Sequence, residues 1–542
     1  MADYVIVGGG AAGSVLANRL SADPACEVLL IEAGGKDRHP FIHMPAGYFG
    51  LMKTGAVDWG YYTVPQAAMD NRSLFWPRGK VLGGSTSVNG MVYVRGHAQD
   101  FNGWAQLGNS GWSYDDCLPY FKRLENWEGG VDEFHGVGGP VSITRLKSLH
   151  PLSQAFLDAG AQAGYPRVDD VNAAEQEGFA PIDSYVANKR RVSAATAYLK
   201  PALSRPNLEI ITNTLVERIV VENGRATGVE TRRGWDRQTI RAEREVLLCG
   251  GAINSPQLLQ LSGIGAPELL RAFGIPVAAA LPGVGENLQD HIACGVKMAI
   301  NQPISLYSHT RPFKAALGLA QYFLLNSGPC TVSGGEALAF VKTRPELAMP
   351  DVQFHFVNLM YEDCGRIIVP HHGMMAYFNA SHPVSRGTIR IISTDPRKHP
   401  AIDPRHLTAR QDVEVMREAL RIGRCVFARP AFVPYRDREF APGADVTSDA
   451  GIDAYIRANA NSTFHPVGTC KMGHDPMAVV DDTLRVRGVE RLRVVDASIM
   501  PKLISGNTAA ATMMIAEKAA DLILGRSLPR AERPSREATK VV

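Results

Sequence analysis

Asp3-Tyr4-Val5-Ile6-Val7-Gly8-Gly9-Gly10-Ala11-Ala12-Gly13 is an apolar run of strand length that opens directly onto G-x-G-x-x-G. A helical stretch, Ser14 to Ser21, follows, then a second apolar run, Val28 to Ile31, and the acidic Glu32. This is the order a βαβ dinucleotide site needs. Gly8 permits a tight turn, Gly10 lets the backbone approach a pyrophosphate, and Gly13 lets helix and strand pack closely. The helix start offers unpaired N–H groups to the phosphates. Glu32 can accept hydrogen bonds from a ribose, and its charge repels a 2′-phosphate. A lone glycine fingerprint also fits an ordinary βα turn. The strand before it, the helix after it and the acid at the expected spacing point to dinucleotide binding.

Outward from this unit, 542 residues are too many for one domain and suit two closely joined ones. The net charge of +3 gives no reason to expect a nucleic-acid partner. Eight cysteines are scattered without a C-x-x-C pair, which speaks against a zinc site or redox dithiol and for reduced thiols in the cytoplasm. With the first strand expected from residue 3, no signal peptide is expected. No apolar run is long enough to span a bilayer; the nearest, Ala315 to Leu325, is short and interrupted by Gln321. The expectation is a cytoplasmic protein, with peripheral attachment to the inner membrane left open. His371-His372 has no evident third ligand, so no metal site is expected.

Residues 34 to 112 form a long stretch rich in Gly, Pro and aromatics, which a compact domain rarely carries without a functional reason. Helices are expected over Pro151 to Gly164, Asp412 to Phe427 and Thr508 to Leu524. Leu208 to Ile211 reads as a strand, and Val216 to Val221 and Ala226 to Thr231 as a hairpin around Asn223-Gly224. Val246 to Leu248 and Leu492 to Val495 read as further strands. The alternating runs between about 300 and 460 suggest a second, sheet-based domain. Only one dinucleotide fingerprint exists, which argues against a second nicotinamide site.

Three signatures in order make the chain resemble the glucose–methanol–choline (GMC) oxidoreductase family, within its bacterial alcohol and choline dehydrogenase branch. They are Gly79-Lys80-Val81-Leu82-Gly83-Gly84-Ser85-Thr86-Ser87-Val88-Asn89-Gly90-Met91, Gly251-Ala252-Ile253-Asn254-Ser255-Pro256 with its continuation to Gly265, and the set His465-Pro466-Val467-Gly468-Thr469, Val494-Val495-Asp496-Ala497-Ser498 and Gly506-Asn507-Thr508. The resemblance implies an α/β fold: a Rossmann-type FAD-binding domain, discontinuous in sequence, with a second sheet-based substrate-binding domain. The implied division gives 1–155, 208–300 and 464–530 to FAD, 156–207 and 301–463 to substrate, and 531–542 to a flexible tail.

FAD is expected to be held by Gly8, Gly10, Gly13, Glu32, Ala33, Gly83, Ser85, Asn89, Gly90, Met91, Val216, Asp496, Ala497, Asn507 and Thr508. By resemblance, Val216 lies near the adenine, Asp496 near the ribityl–pyrophosphate region, and Asn89 to Met91 against the flavin ring. The resemblance implies oxidation of an alcohol, a primary one expected, to the aldehyde by hydride transfer to flavin. His465 is the expected base and Asn507 the partner of the alcohol oxygen. Histidine suits the first task because it titrates near neutral pH, so kcat/KM is expected to rise through an ionisation near neutrality. Phe464, Phe356 and Glu336 are candidate substrate contacts, Glu336 as the carboxylate a choline would want. The acceptor is expected to be a quinone, another carrier or O₂. A choline- or polyol/sorbose-type dehydrogenase, and a non-redox flavoenzyme on the same scaffold, stay open as alternatives.

Some family oxidases tether FAD covalently through a histidine in the first signature, where this chain has Val88, which carries no nucleophilic atom. FAD should therefore be non-covalent. Acid precipitation of the yellow protein should release the colour into the supernatant; a yellow pellet would contradict this.

Overall fold

The computed structural model describes residues 2–531. The tail expected over 531–542 lies, after Ala531, outside the described residues. Two seven-stranded sheets organise the chain. In the first, Leu208–Ile211, Val28–Ile31, Ala2–Val7, the C-terminal half of Asp236–Leu248 and Leu492–Val494 lie side by side and parallel. Val28–Ile31 is buried throughout, as expected for a parallel strand covered on both faces. Asp236–Leu248 is long enough to serve twice. Its N-terminal half pairs antiparallel with Arg225–Arg233, which pairs in turn with Leu215–Glu222 around the Asn-Gly turn.

Helices Ala11–Leu20 and Ala509–Ile523 cross beside this sheet. Gly13 sits at the tightest point: a Cβ there would stand 1.9 Å from the Gly8 carbonyl oxygen. Its task is the close helix–strand approach, one layer behind the cavity. The two helices are also clamped by a buried carboxylate. Glu517 is paired with Arg19 at 2.8 Å and Arg123 at 2.9 Å, and accepts the Tyr198 hydroxyl at 2.8 Å.

The second sheet is antiparallel, in the order Arg436–Ala441, Ile292–Ile300, Gly373–Ala380, Val352–Val357, Gly335–Val341 and Gly178–Pro181, with Asn461–Ser462 also paired to Ile292–Ile300. Helices Pro151–Gln162 and Arg410–Phe427 cover one face and make its core. The other face looks towards the first domain. Packing differs in two places from the sequence-based division. Ile292–Ile300, before the boundary expected after residue 300, is hydrogen-bonded into the second sheet. Ala194–Leu199, inside the expected substrate segment 156–207, packs in the first core. An apolar run reports that it is buried, not which sheet it joins.

Removing one partner of a buried ion pair strands the others. Arg19 and Arg123 are each about a quarter exposed here, so the cost should stay below that of a sealed pair. Glu517→Ala is expected to lower stability by about 2 kcal/mol. Chemical denaturation of the FAD-bound protein checks this; an unchanged midpoint would show that the clamp contributes nothing.

Candidate functional site

One cavity of about 410 Å³ runs between the two sheets. Gly8, Gly10, Glu32, Ala33 and Val216 line one end, Ser85 and Asn89 to Met91 the middle, and Asp496, Ala497, Asn507, Thr508, Phe464 and His465 the other side. The close contact of Gly10 with Gly84 shapes the wall: a Cβ on Gly84 would lie 2.7 Å from Gly10 Cα. Gly84 rather than Gly83 lines the cavity. Gly83 stands behind it and donates its N–H to the Gly9 carbonyl at 2.7 Å.

The residues present fit FAD. Gly10 caps helix Ala11–Leu20 without a side-chain hydrogen bond, and the first turn has no acid, so its N–H groups are open to a diphosphate. Helix Ala509–Ile523 likewise starts at Thr508 with no side-chain cap and turns its positive end to the opposite part of the cavity. Glu32 is buried, with Oε2 accepting from Gly9 N at 2.8 Å and Oε1 from Gly34 N at 2.7 Å, while facing the cavity where a ribose would lie. Burial pushes its carboxyl up to about 7 despite these bonds. Asp496 is also raised by burial and is held by Ser255 Oγ at 2.6 Å and the N–H groups of Gly251 and Ser498. A Cβ on Gly90 would meet nothing within 4 Å, so bare backbone faces open space at the position expected for a flavin ring.

The His465 end of the cavity is built by strand pairing. Gln289 and Val467 exchange both backbone hydrogen bonds, and Thr463 N–H donates to the His291 carbonyl at 3.0 Å. This sets His291 against His465, with Nδ1 to Nδ1 at 2.9 Å. The protons on this pair follow from its surroundings. His291 Nε2 faces the Ser381 carbonyl oxygen at 2.9 Å, which can only accept, so Nε2 carries the proton and Nδ1 of the neutral ring is bare. His465 Nδ1–H must then donate, to His291 Nδ1 and to Thr463 Oγ1 at 3.0 Å. That leaves the lone pair of His465 on Nε2, facing the Asn507 Nδ2 amide at 3.2 Å. A bare Nε2 requires a donor, so the Asn507 Nδ2 end faces it, and Asn507 Oδ1 accepts from Gln353 Nε2 at 3.3 Å.

Asp290 accepts the His465 backbone N–H at 2.7 Å and the Ser462 hydroxyl, and burial raises its carboxyl to about 7. Asp100 steadies the approach to Asn507 by accepting the Ser505 N–H at 2.7 Å. Burial above all, then His291, His355 and Arg78, hold His465 well below the ordinary histidine value. Its ionisation is therefore shifted to the acid side of the near-neutral value expected from histidine in general.

Two candidate substrate contacts fall elsewhere. Phe356 points into the core of the second domain, stacked on Phe156 with ring centroids 4.7 Å apart. Strand alternation turns its neighbours His355 and Val357 into the cavity instead. Glu336 also lies off the cavity; its Oε2 accepts the His150 N–H at 2.7 Å, while Gly335 takes the lining position. Glu32 and Asp496 are then the only carboxylates among the lining residues. His291, Gln353 and His355 were missed as site residues. The period-two pattern of Gln353-Phe354-His355-Phe356 held a signal for the last two, with polar residues on one face and rings on the other.

Comparison with known proteins agrees with this geometry. Two family models described as GMC oxidoreductase match residues 2–293 and 383–516. Choline dehydrogenase, mitochondrial, from Mus musculus is 47% identical over 96% of this chain and 89% of its own. Oxygen-dependent choline dehydrogenase from Brucella canis is 46% identical over 97% of this chain and 96% of its own. Among solved structures, pyridoxine 4-oxidase from Mesorbium loti superposes with a TM-score of 0.88 at 35% identity, over 96% of this chain and 98% of its own. An FAD-dependent oxidoreductase from Chaetomium thermophilum gives a TM-score of 0.88 at 29% identity, over 97% and 99%. With both family models matched and relatives aligned along nearly its whole length, the chain belongs to the GMC oxidoreductase family and is an FAD-dependent enzyme that oxidises CH–OH groups.

Proposed function

We propose that the enzyme oxidises a primary alcohol with an uncharged, apolar or aromatic body, using His465 as the base and Asn507 to hold the alcohol oxygen. The observation that carries the assignment of His465 is its bare Nε2, set by the relay from the Ser381 carbonyl through His291. FAD, when bound, supplies the acceptor for two electrons and the hydrogen of the carbinol carbon. His465 Nε2 takes the hydroxyl proton, and the Asn507 amide donates to the oxygen as negative charge grows there. The proton on Nδ1 stays between His291 and Thr463, so the imidazolium that forms is already hydrogen-bonded on its far side. Asn89 to Met91, Asp496 and Thr508 serve the cofactor.

The character of the substrate follows from the cavity walls. Tyr48, Trp59, Tyr361, Tyr377 and Phe464 supply aromatic surface. Arg78 brings a cation, and the two lining carboxylates are held at the cofactor side. A quaternary ammonium would meet rings but no counter-charge. A second reading, choline, is supported by the names of relatives 45–47% identical to the chain. The acceptor is a quinone, another carrier or O₂. The eight unpaired cysteines favour a reducing compartment, which supports the cytoplasm and is compatible with peripheral attachment to the inner membrane.

His465→Ala should slow reduction of the bound flavin in single turnover by about 10²–10⁴-fold, roughly 3–5 kcal/mol of barrier, with FAD retained. Asn507→Ala should cost less, since the proton acceptor stays. Wild-type flavin reduction in His465→Ala would remove this residue from the mechanism. A base whose pKa is lowered is lost only as pH falls through that low value. kcat/KM should therefore be level across neutral pH and decline only on the acid side, and His465→Ala should abolish the decline. An alcohol panel with a dye acceptor should give aryl or medium-chain primary alcohols a kcat/KM above that of choline; the reverse order would favour the second reading.

A further inference from the structure

The helix Pro312–Leu325 is turned inside out. Only Gly318 and Tyr322 are buried along its fourteen residues. Phe313, Leu324 and Leu325 are 82%, 79% and 70% exposed, and Leu317 and Phe323 more than half. Phe313, Leu317, Ala320 and Leu324 recur at helical spacing, so the apolar side chains form one stripe opposite the anchored side. Apolar stretches of this length are core helices or interfacial segments, and this one is not in a core. A contiguous exposed apolar patch of this kind marks an interaction surface.

Along the segment itself the charge has one sign. No Asp or Glu occurs between residues 301 and 334, while Arg311 and Lys314 lie on or beside the helix start. The hairpin tip at Lys189 and Arg190 adds to this rim: Lys189 Nζ donates to the Asn326 carbonyl at 3.0 Å, and Arg190 is close enough to act on Tyr322. The helix is also tied to the cavity. Tyr322 donates its hydroxyl to the His43 carbonyl at 3.2 Å, Gly318 packs on Pro329 and Cys330, and the chain then returns through Ser333 and Gly335, which line the cavity wall. At the other end Leu306 and Tyr307 pack with Phe49 against Tyr361, another cavity residue.

We propose that Pro312–Leu325 docks the enzyme on an anionic lipid surface, with Phe313, Leu317, Phe323, Leu324 and Leu325 entering the headgroup–acyl boundary and Arg311, Lys314, Lys189 and Arg190 meeting the phosphates. Among the described residues no helix is long and apolar enough to cross a membrane, so this contact lies in the plane of the surface. A second copy of the chain is a poorer occupant. A twofold interface brings the same patch onto itself, and this rim would then face its own positive charges. The inference deepens the peripheral attachment proposed above, and it stands or falls separately from the alcohol chemistry.

The test is flotation of the FAD-bound enzyme with vesicles of phosphatidylcholine and phosphatidylglycerol at about 7:3, against phosphatidylcholine alone. Wild type should float with the anionic vesicles and partition about tenfold less onto neutral ones or in about 0.5 M salt. The fourfold variant Phe313→Ser, Phe323→Ser, Leu324→Ser, Leu325→Ser should lose at least about tenfold in partition, with FAD content and dye-linked turnover unchanged. Arg311→Glu with Lys314→Glu, which keeps the stripe, should lose binding to the anionic vesicles alone. A wild type that stays with the unbound fraction overturns the proposal, as does a fourfold variant that floats normally. Sedimentation that finds a dimer abolished by the fourfold variant, without vesicle binding, would assign the stripe to a second copy instead. In each of these outcomes dye-linked turnover reports on the alcohol chemistry separately.

Discussion

The short antiparallel pairing of residues 289–293 with 461–467 holds the active end together. Ile292 pairs with Ser462 and Ala293 with Asn461, which adds a strand to the second sheet, and Gln289 and Val467 continue the ladder towards the first domain. The same few hydrogen bonds bring two histidines 174 residues apart in sequence to within 2.9 Å. Asp290 sits beneath them and takes the His465 N–H, so the backbone that carries His465 is as fixed as its ring. Were this ladder to slip by one residue, His465 would turn to the other side and lose both its proton partner and the cavity.

Around that ladder the histidines add no fixed charge to the cavity, and Arg78 is the cation among its lining residues. Burial holds His465, His291 and His355 below the ordinary histidine range, the latter two to about 3 and about 4. Apart from Arg78, the polarity there is in fixed dipoles: two helix starts, the Asn507 amide and the Ser381 carbonyl. Such groups need little reorganisation when charge appears on a reacting oxygen, and their effect is larger where water is excluded. Gln353 has a part in this through one hydrogen bond, donated by its amide to the Asn507 oxygen.

The nucleotide end was legible from residues 3 to 32 alone, because strand, glycines, helix and acid are adjacent in sequence and their chemistry is local. The hairpin around Asn223-Gly224 and the strands at 208 and 352 were legible for the same reason. His465 and Asn507 were singled out through their motifs, and they meet on the cavity wall at 3.2 Å; spacing alone would have left them as an ordinary histidine and a helix cap. His291 could not be found in this way, because its meaning lies in a contact across 174 residues. Phe356 and Glu336 failed for a different reason. Each lies on a strand one residue from a position that does face the cavity, so the sequence region was right and the face wrong.

The first sheet has a consequence for how the enzyme is made. Ala2–Val7 takes Val28–Ile31 as one neighbour and Asp236–Leu248 as the other, and the latter waits for Leu492–Val494. Helix Ala509–Ile523, which packs on Ala11–Leu20, is later still in the chain. During synthesis the first domain can therefore reach its native sheet only after nearly all of the described chain has left the ribosome. Until then its apolar strands have unpaired edges, and parallel pairings between distant segments form slowly. Maturation should thus be more sensitive than the finished enzyme to temperature, chaperone supply and the timing of FAD delivery.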